Sequence, residues 1–481
     1  MARNESGSNE RSRSEADQAR CSRRRLLQGA AAAAAFHMIP SEVLAAGPEL
    51  PSAYRKLWED PKLAERVERN IEQHRKGPAT VTLVDRAGEP LPGVSLEVQQ
   101  TGHEFLFGCN LFVLGQLETE KANREYEEKF LRLFNFATIP FYWASTEPER
   151  GRFRYEEGSE EIWRRPPPDR LVQWCRKHEV TMKGHPLLWH NSRYNPDWRP
   201  DDPEALKKLY VERFRRIGER YSADIPIWDV VNESLVSGPD WPLYEKERAY
   251  VAWAFGQAER FFEPGNMLRI NEVTGVANRT PASHNPYLKQ VEALIEQNTA
   301  VEGVGFQFHM FSAGSLRRHV AGNTFKPLPL LDLYHRFGKL NLPLFISEIT
   351  IPTVGEDGPA VQEKVAENLY RLWFSVPQMA GITWWNLGDG LAVRGENTIQ
   401  GGLLDSGLDP KPSYRALDRL INDEWQTRLS AETDESGRVE FNGFYGRYSV
   451  RADLPGGRRS FDIRHTTPSS SHTLQPGREH R

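Results

Sequence analysis

Six short apolar runs in this chain end in side chains capable of chemistry. One closes in His185-Pro186-Leu187-Leu188-Trp189-His190 and the next in Trp228-Asp229-Val230-Val231-Asn232-Glu233. Asn271-Glu272, Gln307 with His309, Ser347-Glu348, and Trp384-Trp385-Asn386 with Asp389 follow in order. A strand that stops in an amide, an imidazole or a carboxylate breaks the core pattern at that end. Six together mark a site. Glu233 and Glu348 suit the hydrolysis of a glycosidic bond. One carboxyl holds a proton at neutral pH and gives it to the leaving oxygen, while the other stays ionised and attacks the anomeric carbon. Asn232 is placed to bond a sugar 2-hydroxyl, a contact that strengthens as the oxocarbenium-like state forms. His309 and Gln307 are expected to orient Glu348 and keep it charged. His185, His190 and His309 raise the question of a metal, but no helical His-Glu-x-x-His spacing accompanies them. No metal and no cofactor is expected.

These endings need a scaffold that brings them to one mouth. Strand-like runs fall at 105–111, 134–143, 180–189, 225–232, 267–273, 301–309, 343–350 and 379–388, with helix-length spacers between them. That order predicts a (β/α)₈ barrel over 105–427, whose reactive groups sit at the C-terminal strand ends. The rival is a doubly wound open sheet. It would usually carry a Gly-rich phosphate loop after its first strand, and Gly108-Cys109-Asn110 supplies none. Both flanks read differently. Residues 47–78 read as a helical lead-in closed by Gly77-Pro78, and 79–104 as a β segment with hairpin chemistry around Asp85-Arg86-Ala87-Gly88. Residues 428–465 read as a second β segment. Two such short pieces are unstable alone, so they are expected to form one small accessory β element from both ends of the chain. From 466 to 481 the Ser/Thr/Pro/His/Arg composition predicts a disordered tail.

With 62 Lys+Arg against 66 Asp+Glu, the chain has no general attraction to nucleic acid. The arginines at 213, 215 and 216 interleave with acids and read as a solvated helix face. Three cysteines cannot build a disulfide framework; Cys109 and Cys175 read as buried free thiols. Residues 1–46 read as an export signal. Ser22-Arg23-Arg24-Arg25-Leu26-Leu27 precedes a short apolar run and the small residues before Gly47, as in a twin-arginine signal. The run is too short to span a bilayer. The mature protein is therefore expected in the periplasm or outside the cell, free of the membrane, as a monomer acting on a polysaccharide.

The endings also resemble glycoside hydrolase family 10, the endo-1,4-β-xylanase family. Its acid/base motif is matched by Trp228–Glu233, its histidine-tryptophan motif by Gly184–His190, and its nucleophile strand by Ile346-Ser347-Glu348. Gly305–His309, Glu147-Pro148 with Gly151-Arg152-Phe153, Gly402–Asp405 and Lys411–Leu417 fit further family segments, so the match runs over roughly 105–425. The resemblance implies a retaining enzyme with Glu233 as acid/base and Glu348 as nucleophile. It places His185, Trp189, Asn232, Gln307, His309 and Trp385 around the reacting sugar, with Tyr142 on the neighbouring shelf. There the chain departs from the pattern. Where the family carries a Glu-Asn pair and a Lys before a Trp, this chain has Thr138-Ile139 and Tyr142 before Trp143; Val393 replaces a second Trp. The implied machinery for cleavage is intact, but the groups that grip xylose on the non-reducing side are altered. A different or decorated β-glycan is the alternative substrate, and a non-catalytic glycan-binding barrel the alternative function.

Overall fold

The computed structural model describes residues 50–279, 281–454 and 456–477. The export-signal reading, at 1–46, lies outside them. The chain enters through helices Ser52–Trp58 and Pro61–Arg75. In the second, Asp60 caps the first turn through Lys62 N, Pro61 suits a first-turn position, and Leu63, Val67 and Ile71 form one buried stripe.

Strands β1 (Lys76–Leu83) and β2 (Ser95–His103) follow. Lys76-Gly77-Pro78 is thus not the end of a helix but the start of a strand. Pro78 is tolerated because it faces Asn442 before the second pairing of β1 begins at Ala79. Nor do β1 and β2 form a hairpin. The Asp85 side chain does cap a tight turn, accepting from Ala87 N and Glu89 N. The ladder then stops after one bridge, Val84 to Pro90. Pro90 and Pro92 lack the N–H groups to extend it, and the strands part into different sheets.

The barrel strands are β3 (Leu106–Asn110), β4 (Phe136–Pro140), β5 (Thr181–His185), β7 (Ile227–Asn232), β8 (Met267–Glu272), β9 (Gly303–His309), β10 (Leu344–Thr350) and β11 (Met379–Trp384). They are parallel, β11 pairs with β3, and β5 pairs with β7, which closes the ring. A two-residue strand β6 (Leu188–Trp189) continues past Pro186 and pairs with the end of β7. β4, β7 and β10 are buried at every residue, as expected for parallel strands covered on both faces. Gly184 has no alternative: a Cβ there would lie 2.1 Å from the Trp228 ring. Cys109 and Cys175 are buried and free.

The C-terminal flank supplies β12 (Arg428–Glu432), β13 (Arg438–Phe444), β14 (Gly446–Leu454), β15 (Gly457–His465) and β16 (Ser470–Leu474). With β1 and β2 they make two sheets, ordered β13-β1-β16 and β12-β2-β14-β15. Val81, Leu96, Val98, Tyr448, Val450, Ala452 and Leu474 fill the space between them. The accessory element is thus a seven-stranded sandwich drawn from both ends of the chain. The expected disordered tail is corrected at its centre. Residues 470–474 pair in parallel with 79–83, and only Leu474 buries fully. An edge strand that is mostly wet can be built from Ser, Thr and His, which is why composition misread it.

Trp425 joins sandwich to barrel, stacked on Phe374 at 4.1 Å and Phe107 at 5.9 Å. Arg75 donates to Phe374 O at 2.6 Å. This contact, with a hollow of about 820 Å³ beside it, lies at the N-terminal strand ends, among Leu106, Ile227, Met267 and Phe345. The opposite end of the barrel is left open for chemistry.

Candidate active site

Glu233 is the first residue after β7 and has φ 59°, ψ 41°. A non-glycine residue is uncommon in this left-handed region and must be held there by its surroundings. Its N–H donates to Asn271 O at 2.8 Å, and Arg248 Nε binds the next carbonyl, Ser234 O, at 2.8 Å. The turn throws the carboxyl across the mouth. There Trp189 Nε1 donates to one oxygen at 3.0 Å and Gln307 Nε2 to the other at 2.8 Å. Burial, then the negative charge of Glu348, push its pKa up, against the pull of those two bonds.

Glu348 is deeper, 3% exposed. The register of β10 against β9 slips between Ile346 and Glu348, a bulge that re-aims the side chain. Asn271 Nδ2 donates to one Glu348 oxygen at 2.9 Å, and His309 Nε2 lies 3.1 Å from the other. Burial alone would raise its pKa. The His309 bond and the charges of His185, His309 and Lys183 outweigh that and hold it below the ordinary carboxylate value. Two carboxyls in one cleft are therefore pushed in opposite directions, the condition for one acid and one anion at the same pH.

Sequence reasoning assigned both Gln307 and His309 to Glu348. Only His309 is there; Gln307 serves Glu233. Its place is taken by Asn271, a strand-end amide whose role the sequence did not reveal. Ser347 Oγ donates to Asn271 Oδ1 at 2.5 Å, which turns the amide so that Nδ2 reaches both Glu348 and Asn232 Oδ1, the latter at 2.8 Å. Gly305 makes room for this, since a Cβ there would lie 2.4 Å from Asn271 Oδ1. Asn232 is left with its own N–H₂ to donate.

Beneath lies a buried charge network that sequence reasoning also missed. Asp229 accepts from Arg269 at 2.6 and 2.8 Å, lies 3.2 Å from Lys183 Nζ, and faces His185 Nδ1 at 2.8 Å. Burial resists its ionisation, but Arg269 and Lys183 hold it well below the carboxylate range. Burial pushes Lys183 down to about 8. A signal was present: Lys183 and Arg269 are cations inside apolar strands, which requires a buried partner. Glu272, pushed up to about 7 by burial, accepts from Leu235 N and Val273 N and shapes the Glu233 turn from behind.

Aromatic rings wall the cleft. Trp189 stacks on Tyr194 at 4.7 Å, and Tyr142 packs on Tyr194 at 4.9 Å and edge-on to His185 at 5.7 Å. Trp385 stands against His185 and His309, at 5.7 and 6.0 Å. Trp384 is core, fully buried with Nε1 on Gly401 O. Of the altered shelf positions, Thr138 and Ile139 have no accessible surface, Tyr142 is 5% exposed among the cleft rings, and Val393 lines a neighbouring hollow. Asp389 is turned away and paired with Lys411 at 3.1 Å. The open volume at Glu233, about 430 Å³, is bounded by Trp189, Gln307, His309 and Phe311.

An eight-stranded parallel barrel with two oppositely tuned carboxyls at its C-terminal mouth defines a class of carbohydrate-cleaving scaffold. Residues 111–419 match the profile of glycosyl hydrolase family 10, and the chain belongs to that family. It is similar to anti-sigma-I factor RsgI6 of Acetivibrio thermocellus, 25% identical over 80% of this chain and 46% of that protein. It is also similar to endo-1,4-beta-xylanase 5 of Arabidopsis thaliana, 24% identical over 80% of this chain and 63% of that one. The chain thus spans between about half and two thirds of these relatives. Native xylanase 10B from Thermotoga maritima shares the fold, with a TM-score of 0.54 at 23% identity over 67% of this chain and 96% of that one.

Proposed function

We propose that this protein is a retaining glycoside hydrolase of β-1,4-linked plant polysaccharide, endo-1,4-β-xylanase-like, acting by double displacement. The observation that carries the reading is the pair of carboxyls at one barrel mouth, Glu233 held by Trp189 and Gln307 and Glu348 held by Asn271 and His309. Glu348 attacks the anomeric carbon while Glu233 passes its proton to the departing glycosidic oxygen. Water then enters with Glu233 as base, and its attack releases Glu348 from the sugar. Asn232 donates to the 2-hydroxyl, while His185, Trp189, Gln307, His309 and Trp385 enclose the ring. A barrel that only bound glycan would need no pair of carboxyls facing each other across its mouth, which disfavours the non-catalytic reading.

The shelf favours a substrate other than plain xylan. Thr138-Ile139 and Tyr142 stand where a Glu-Asn pair and a Lys would grip hydroxyls, Val393 stands where a Trp would, and each charge-assisted bond so lost is worth roughly 1.5–3 kcal/mol. Turnover of unsubstituted linear xylan should be weak and that of a decorated or different β-glycan better. Product analysis by NMR on a panel of defined β-glycans tests both statements. Initial inversion at the anomeric carbon rejects the mechanism; kcat/KM near about 10⁷ M⁻¹s⁻¹ on linear xylo-oligosaccharides rejects the altered preference.

The same reading has the protein exported through residues 1–46 and acting as a monomer. No helix among the described residues is long and apolar enough to cross a membrane. Changing Arg23, Arg24 and Arg25 to Lys should strand precursor in the cytoplasm, because twin-arginine recognition depends on guanidinium groups. Unimpaired export would refute the signal.

A further inference from the structure

Beside the cleft lies a second hollow, about 480 Å³, where the segment around Trp163 meets the loop after β11. Arg165, Arg193 and Arg394 line it, with Trp163, Tyr194 and Val393 between them. Arg193 and Tyr194 also border the volume at Glu233, so the two spaces adjoin around one aromatic ring. The Arg165 guanidinium lies 4.0 Å from the centroid of Tyr142 and 5.8 Å from that of Tyr194. Arg193 lies 5.7 Å from Tyr194.

Several arginines elsewhere on this protein are matched to acids: Arg215 pairs with Glu212 and Glu219, and Arg220 with Asp169. Among the described residues, no carboxylate forms an ion pair with Arg165, Arg193 or Arg394. Glu396, whose charge acts on Arg165, already accepts from Asn386 Nδ2 at 3.0 Å. Arg164 also lines the hollow but is committed to Asn386 Oδ1 at 2.9 Å and to Leu391 O. Guanidiniums lining one hollow repel one another, Glu396 offsets this only in part, and an anion entering between them removes the remaining cost. Their planar forks match the two oxygens of a carboxylate. Trp163, 51% exposed, and Tyr194 offer flat faces for the ring that would carry it.

We propose that this hollow holds the carboxylate of a uronosyl branch on the glycan lying in the cleft, making the enzyme selective for acidic, uronic-acid-decorated chains. The proposal rests on the glycan-hydrolase reading and supplies its missing substrate class. It also accounts for the altered shelf: affinity lost at main-chain hydroxyls is regained at a branch. A sulfate ester shares the anionic chemistry, and the experiment separates the two.

The test compares kcat/KM on four β-1,4-xylo-oligosaccharides: unbranched, branched with one glucuronosyl group, branched with its methyl ester, and sulfated. The acid branch should raise kcat/KM about tenfold or more over the unbranched chain, and esterification should erase the gain. Arg394→Glu should cancel the gain while leaving the unbranched substrate within about twofold, and Arg394→Lys should restore part of it. Equal rates on acid and ester, equal losses by Arg394→Glu on every substrate, or a gain on the sulfated chain alone would each overturn the proposal. If the wild type cuts none of the four, the hydrolase reading has failed on this panel. Calorimetric binding of the acid-branched chain to the whole protein and to Arg394→Glu then decides the hollow by itself: tight binding lost in the variant supports it, and equal binding rejects it.

Discussion

The imidazole of His309 is held at both nitrogens, with Nδ1 2.9 Å from Thr350 Oγ1 and Nε2 3.1 Å from a Glu348 oxygen. Because a carboxylate only accepts, the proton between His309 and Glu348 sits on Nε2, and Thr350 fixes the ring plane. This bond is a principal reason Glu348 stays ionised despite full burial.

Its removal should therefore move the pH profile. Ionised Glu348 is the active form, so His309→Ala, by raising its pKa, should shift the acid limb of kcat/KM to higher pH. Activity should fall about 10²-fold or more near neutrality. On the alkaline side the active form is protonated Glu233. Gln307 lowers that pKa, so Gln307→Ala should move the alkaline limb upward. Profiles in which both variants shift the same limb would contradict the assignment of roles.

The two glutamates should fail differently. Glu348→Ala should abolish turnover of every substrate. Glu233→Ala should lose about 10²–10⁴-fold on substrates with poor leaving groups, yet retain activity on aryl glycosides that need little protonation. Added azide should restore turnover of those aryl glycosides in Glu233→Ala, because a small anion can replace the base-activated water. Steady-state kinetics with and without azide checks this, and equal losses on both substrate types would reverse the argument.

Asp229 is predicted to matter for stability more than for the chemical step. It is fully buried with Arg269, Lys183 and His185 around it. Asp229→Ala should cost about 3–5 kcal/mol, since it strands buried cations. Its depressed pKa stabilises the fold above the unfolded carboxylate value, and that contribution fades as pH drops toward the folded pKa. Denaturant unfolding at neutral pH and at about pH 2 should show the difference between wild type and variant shrinking at the lower pH.

Residues 470–474 should be structural. Truncation after His465 removes β16, bares the outer edge of β1 and exposes the space filled by Leu474. A loss of about 1.5–3 kcal/mol for the leucine alone is expected, with protease sensitivity appearing first in β1 and β13. Unchanged unfolding and digestion patterns would return this segment to the status of a loose tail.

The sequence alone determined the barrel, its eight strands and the ends where chemistry gathers. Each barrel strand is a short apolar run followed by a helix of regular length, and such local patterns survive in one dimension. It also pointed to Glu233, Glu348, His185, Trp189, Asn232, Gln307, His309 and Trp385 as functional groups at the tips of buried strands, whereas Tyr142 came only from the family resemblance. Partnership was decided only in three dimensions. Whether Gln307 reaches Glu233 or Glu348 depends on the register slip of β10 against β9 between Ile346 and Glu348, which leaves no mark in residue spacing. The splitting of β1 from β2, the rescue of residues 470–474 as an edge strand, and the meeting of Arg165, Arg193 and Arg394 share that character. Each joins segments that are distant in the chain, and burial and charge at such a junction belong to neither segment before the fold brings them together.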